Sequence, residues 1–197
     1  KGNNTLDVFA GVYMTGILPI KKYNTESALN NFIEYSMVYP GRMASHLGFT
    51  KNEVIRLCED FGRELDDIEK WYDGYIIGKE KSMFNPNSVI MSLMQDECRS
   101  FWASTGAYDR VASYIDMNFE GLKDDILSML AGGACNVEPT TFSNDMHDVR
   151  SKDDVLTVLI HLGYLAYNPE TRRCFIPNFE VKQELENAVE DSSWIVA

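Results

Sequence analysis

The stretch Trp71–Leu93, WYDGYIIGKEKSMFNPNSVIMSL, holds the residues of this 197-residue chain best suited to meet a ligand. Trp71, Tyr72 and Tyr75 surround Gly74, whose backbone freedom lets the chain reverse between large aromatics. Further on, Asn85-Pro86-Asn87-Ser88 spells a helix start. The asparagine can cap free N–H groups, and a first-turn proline loses no hydrogen bond while presetting φ. A rigid helix N-terminus of this kind can receive an anion or a planar ring. The same residues serve equally well as a plain hairpin-to-helix joint packed on core. Thr15 places a hydroxyl inside the apolar run Val8–Ile20. It is either a polar group offered to a ligand at a sheet edge or the mark of a strand end or bulge.

The remaining reactive side chains form no recognisable constellation. The sequence has no phosphate-binding glycine-lysine loop, no apolar strand ending in paired acids for Mg²⁺, and no metal-spaced Cys/His set. No serine stands in a nucleophile elbow. His147 lies in a polar stretch without a visible partner, and His161 reads as a core or boundary histidine. Acid runs such as Glu64-Leu65-Asp66-Asp67 and Asp124-Asp125 read as solvated helix faces and caps. Cys58, Cys98, Cys135 and Cys174 are scattered and form no CxxC pair, which predicts reduced, buried thiols.

The elements that hold these residues follow from periodicity and punctuation. Val8–Ile20 is apolar nearly throughout, the pattern of a strand buried on both faces in a parallel sheet, and no second strand of that kind accompanies it. Thr50-Lys51-Asn52-Glu53 is a capping box, followed by Val54, Leu57, Cys58 and Phe61 on one helical face. A second helix spans Glu64 to Trp71. Ile76-Ile77 and Met83-Phe84 form a hairpin that feeds the Pro86 helix. Helices are expected near Tyr108–Met117 and Gly121–Leu130, then a strand-like Cys135–Glu138. Ser151 caps a helix that is apolar nearly all round and ends at Gly163. Tyr164–Tyr167 and Cys174–Pro177 flank a polar turn as a second hairpin, and Asn178–Val189 is the last helix. Buried helix, hairpin and helix together read as the end of a winged-helix module.

Thirty acidic residues against 18 basic give a net charge of −12, which argues against a surface that holds nucleic acid through its phosphates. Only Arg172-Arg173 and Lys182 stand near the expected wing. No apolar run approaches a membrane span and the opening residues do not read as a signal peptide, so the expected location is the cytoplasm. Lys1-Gly2-Asn3-Asn4 lacks an initiator Met, and the chain reads as one entered midway.

In order along the chain, Met14–Ile20, Leu29-Asn30-Asn31, Leu47–Val54, Trp71–Tyr75, Phe84–Val89, Phe101-Trp102 with Thr105-Gly106, Leu162–Leu165 and Ile176–Val181 resemble the bacterial AAA-ATPase-like family. Those proteins are often joined to a C-terminal PD-(D/E)xK nuclease-like domain. The resemblance implies a P-loop NTPase fragment, mainly α, lying downstream of the phosphate-binding loop. Residues 1–24 would end the ATPase core sheet as one strand with Thr15 in a sensor-like position. Residues 25–133 would be a helical lid with a hairpin at 75–85, and residues 134–197 a winged-helix-like part with the second hairpin. Tyr75, Asn85 and Pro86 would be lid-side nucleotide contacts. ATP and Mg²⁺ would be cofactors of the intact protein. This chain alone is predicted to bind neither and to be catalytically inactive. Its partners would be the missing ATPase core, the nuclease-like domain (toward which Trp194–Ala197 would point) and a protein partner. A non-enzymatic interaction module and a winged-helix nucleic-acid binder are the rival readings.

Overall fold

A computed structural model describes residues 11–16, 33–102, 113, 117, 119–142 and 149–190. The described architecture is mainly helical, with two small three-stranded antiparallel sheets.

The first sheet and its helices come from residues 49–95. Strand β1 (Phe49–Thr50) runs into helix α1 (Lys51–Phe61), and helix α2 (Leu65–Tyr72) follows. The capping box closes as expected: Glu53 Oε2 accepts from the Thr50 N–H at 2.8 Å and from its hydroxyl at 2.7 Å. Gly62, at φ 67°, ends α1 in the left-handed conformation, and Arg63 N–H reaches back to the Cys58 carbonyl. Of the predicted apolar face, Val54 and Cys58 are buried and Leu57 is partly so, whereas Phe61 at the frayed end is exposed. Strands β2 (Tyr75–Ile77) and β3 (Glu80–Phe84) form the predicted hairpin, with β3 central between β1 and β2. Its turn is tighter than expected, because β3 begins at Glu80. Helix α3 (Pro86–Gln95) follows directly, and α1, α2 and α3 close on a core of Val54, Ile68, Tyr72, Phe84, Val89 and Leu93.

The second sheet belongs to residues 122–190. Helix α4 (Leu122–Leu130) leads to β4 (Cys135–Asn136), then a 3-10 turn at Pro139–Thr141 and helix α5 (Lys152–His161). Ser151 caps α5 by accepting from Asp154 N–H at 3.2 Å. Every residue of α5 from Asp154 to Ile160 is buried, as its all-round apolarity predicts. Strands β5 (Ala166–Asn168) and β6 (Arg173–Phe175) make the second hairpin, and β4 adds to the outer side of β6. Helix α6 (Phe179–Glu190) packs Val181, Leu185 and Ala188 into the larger core. The edges β2 and β5 lie beside one another, with Tyr75, Ile77, Met83 and Ala166 packed between the two sheets.

Some expectations meet a different outcome or fall outside this description. Residues 11–16 carry no strand: their backbone is irregular and Val12, Tyr13 and Met14 are exposed, Tyr13 at 81%. Pairing holds a strand, and both described sheets are built from other segments. The rest of Val8–Ile20 lies outside the described residues, as do His147, Trp194–Ala197 and most of Tyr108–Met117. Residues Gly41–His46 form a 3-10 helix after Pro40. Among the described residues no helix is long and apolar enough to cross a membrane.

Candidate functional site

At Gly74 the two halves come close together. This glycine holds φ at 112°, and a Cβ built there would stand 1.9 Å from the Pro177 carbonyl oxygen. The aromatic turn therefore needs glycine for two reasons, its backbone angle and the passing strand end. On either side of this contact aromatic rings pair across the halves. Trp71 meets Phe179 edge-on at 4.8 Å between centroids, and Trp102 meets Tyr164 at 4.5 Å. The Tyr75 hydroxyl donates to the Gly163 carbonyl at 2.7 Å. Beneath them Tyr72 both donates to the Arg99 carbonyl at 3.0 Å and accepts from the Arg99 N–H at 3.1 Å. Burial pushes both phenols well above their usual range, so they stay protonated.

Glu180 stands at the centre, in the first turn of α6 and fully buried. Its Oε1 accepts from the Phe101 N–H at 2.8 Å and from the Ser88 hydroxyl at 3.0 Å. One carboxyl thus joins α3, the segment after α3, and α6. One turn later Glu184, also buried, accepts from the Ser100 hydroxyl at 2.5 Å. Oε2 of Glu180 and Nδ2 of Asn178 are buried and reach no hydrogen-bond partner among the described residues. Burial, opposed by the bonds from Phe101 and Ser88 and aided by Glu184, lifts the Glu180 carboxyl from an ordinary 4.5 to about 7. Near neutral pH the group therefore exchanges a proton while holding two regions together.

The four residues singled out from sequence occupy different settings. Thr15 is exposed in the irregular segment 11–16. Tyr75 is buried, with its hydroxyl engaged at Gly163. Asn85 caps α3, its side-chain oxygen accepting from Asn87 N–H at 3.0 Å and Ser88 N–H at 3.4 Å. Pro86 follows as the exposed first residue of α3. Tyr75 and Asn85 share one end of the β2–β3 hairpin, since Tyr75 pairs with Met83. The Tyr75 hydroxyl and the Asn85 side-chain oxygen are already engaged, and the four side chains bring no cation for a triphosphate. Among the described residues no group of three or more His, Cys, Asp or Glu side chains converges as a metal site. His161 is half-buried beside the Phe142 ring, the boundary position its sequence suggested.

Sequence reasoning passed over Glu180, Ser88 and Asn178. A glutamate beside the apolar stripe of a terminal helix carries no local mark of burial. The one available signal was its place inside Ile176–Val181, a segment already singled out for its resemblance.

The fold and junction define a mainly helical protein whose two halves, each with a small antiparallel sheet, meet at a buried carboxyl. No protein-family model, curated protein or solved structure matches the chain in comparison.

Proposed function

We propose that this chain is the lid and winged-helix-like portion of an AAA-ATPase-like protein. In the intact protein ATP and Mg²⁺ are held chiefly by an ATPase core, and this portion moves with nucleotide state to bias a partner or a nuclease-like domain. One observation carries the reading. Five of the eight segments that bear the family resemblance, Trp71–Tyr75, Phe84–Val89, Phe101-Trp102, Leu162–Leu165 and Ile176–Val181, meet at the Gly74–Glu180 junction. Motifs far apart in sequence are thus spent on making two halves into one body, which a moving lid requires. The order α4, β4, α5, β5, β6, with β4 added to the hairpin, supports the winged-helix-like description.

The nucleic-acid rival loses ground on the same geometry. A winged helix reads DNA by laying an exposed helix in the major groove, and α5 is buried from Asp154 to Ile160. Arg172 pairs with Glu138 and Lys182 with Glu186. Titration calorimetry with Mg-ATP, run on this chain and on the natural protein that contains it, tests the proposal. Binding by the natural protein and none by this chain is the expected pair of results. Failure of the natural protein to bind would leave the non-enzymatic interaction module in its place.

A further inference from the structure

Cys135 and Cys174 are 39 residues apart in sequence and their sulfurs are 3.3 Å apart in space. They are direct register partners on β4 and β6, and both thiols are free. The Val137 N–H donates to the Arg172 carbonyl at 3.1 Å. Val137 and Arg172 also oppose one another in this register, and hydrogen-bonded pairs recur at every second position. Cys135 and Cys174 therefore occupy a hydrogen-bonded pair, with Cα atoms about 5.5 Å apart. That lies inside the roughly 4.4–6.8 Å that a disulfide spans. Closing the sulfurs to a bond of about 2.05 Å asks for a small shift. The element able to make it is β4, a two-residue edge strand preceded by Gly132 at φ 89° and Gly133.

We propose that Cys135 and Cys174 are a reversible redox pair, reduced at rest and closed to a disulfide by a low-molecular-weight disulfide such as oxidised glutathione. Cys135 is the attacking sulfur. It retains slight exposure on the edge strand while Cys174 has none. The hydrogen bond from Cys174 holds the Cys135 thiol below its usual value, and the same bond together with burial pushes Cys174 up. The Cys135 thiolate attacks the external disulfide, forming a mixed disulfide and expelling one glutathione thiolate. Cys174 then gives up its proton and attacks Cys135 Sγ, releasing the second glutathione. Two protein thiols are oxidised and one glutathione disulfide is reduced to two thiols. The bond staples the exit of α4 to the β5–β6 hairpin around α5, the centre of the larger core. This inference is independent of the nucleotide reading.

The full chain is equilibrated across a glutathione redox series, free thiols are alkylated under denaturing conditions, and peptides are mapped by mass. The expected product is one Cys135–Cys174 link, reversed by dithiothreitol, with a thermal midpoint raised by about 5 °C or more. C174S loses both the link and the shift, whereas a C58S/C98S double variant keeps both. The double variant leaves the pair intact, so the test survives if C174S does not fold. Alkylation of all four cysteines at every poise would overturn the proposal. So would a lasting mixed disulfide at Cys135, or a Cys58–Cys98 link in its place.

Discussion

Replacing Glu180 by glutamine removes an ionisation while keeping the shape of the junction, and the effect can be worked out from the proton affinity. The carboxyl rises from an ordinary 4.5 to about 7 in the fold. Below pH 4.5 the group is protonated whether the chain is folded or not, and the junction is at full strength. Between the two values the unfolded chain releases the proton and the folded chain keeps it, so unfolding is progressively favoured as pH rises. At about 1.4 kcal/mol for each tenfold change in affinity, the wild-type fold loses about 3 kcal/mol across that interval from this one group. Above pH 7 Glu180 is ionised in both states and the loss is complete. Glu180→Gln keeps a side-chain oxygen to accept from Phe101 N–H and Ser88, and its amide occupies the position of the unpartnered Oε2. Urea unfolding followed by tryptophan fluorescence at a series of pH values from 4.5 to 8 gives the difference directly. The variant should match or fall slightly below wild type at pH 4.5 and exceed it by about 2–3 kcal/mol at pH 8. Parallel curves for the two proteins over the whole range would refute the reasoning. Asp73 and Asp153, which burial also raises, are common to both proteins, so their titrations largely cancel in the difference.

Gly74→Ala should cost more than about 3 kcal/mol in the same assay, since its Cβ would meet the Pro177 carbonyl at 1.9 Å and its φ is 112°. Gly78→Ala, at φ 62° with ordinary side chains 3.2 Å away, should cost only about 1–2 kcal/mol, and equal losses at both would deny the junction its special closeness. Asn85→Ala removes the α3 cap and should destabilise by about 1 kcal/mol, with Asn85→Ser recovering most of it. An alanine variant as stable as wild type would mean the cap is not formed in solution.

Much of the fold was open to inspection in the residues. Thr50–Glu53, Asn85-Pro86 and Ser151 fix helix starts through local hydrogen bonds, and local rules read them well. Both hairpins follow from short apolar pairs around polar turns. Non-local contacts were harder to read. Nothing near Gly74 in sequence reports that Pro177 will pass beside it, and nothing near Cys135 reports Cys174. Glu180 was hidden for the same reason: its partners Ser88 and Phe101 precede it by 92 and 79 residues. The run Val8–Ile20 shows the opposite case at residues 11–16, the part of it that is described. Its composition suits a buried strand, yet a strand is a pairing and not a composition, and residues 11–16 are exposed without a partner strand among the described residues.

Hydrogen–deuterium exchange on the intact protein that the proposal calls for, with and without a slowly hydrolysed Mg-ATP analogue, tests most directly whether the two halves respond to nucleotide as one lid. The account predicts that the analogue changes amide protection around Tyr72–Ser88 and Phe101-Trp102 together with Asn178–Glu184, because those amides share the Glu180 junction. Protection that stays unchanged on both sides of the junction while the analogue is bound would contradict it.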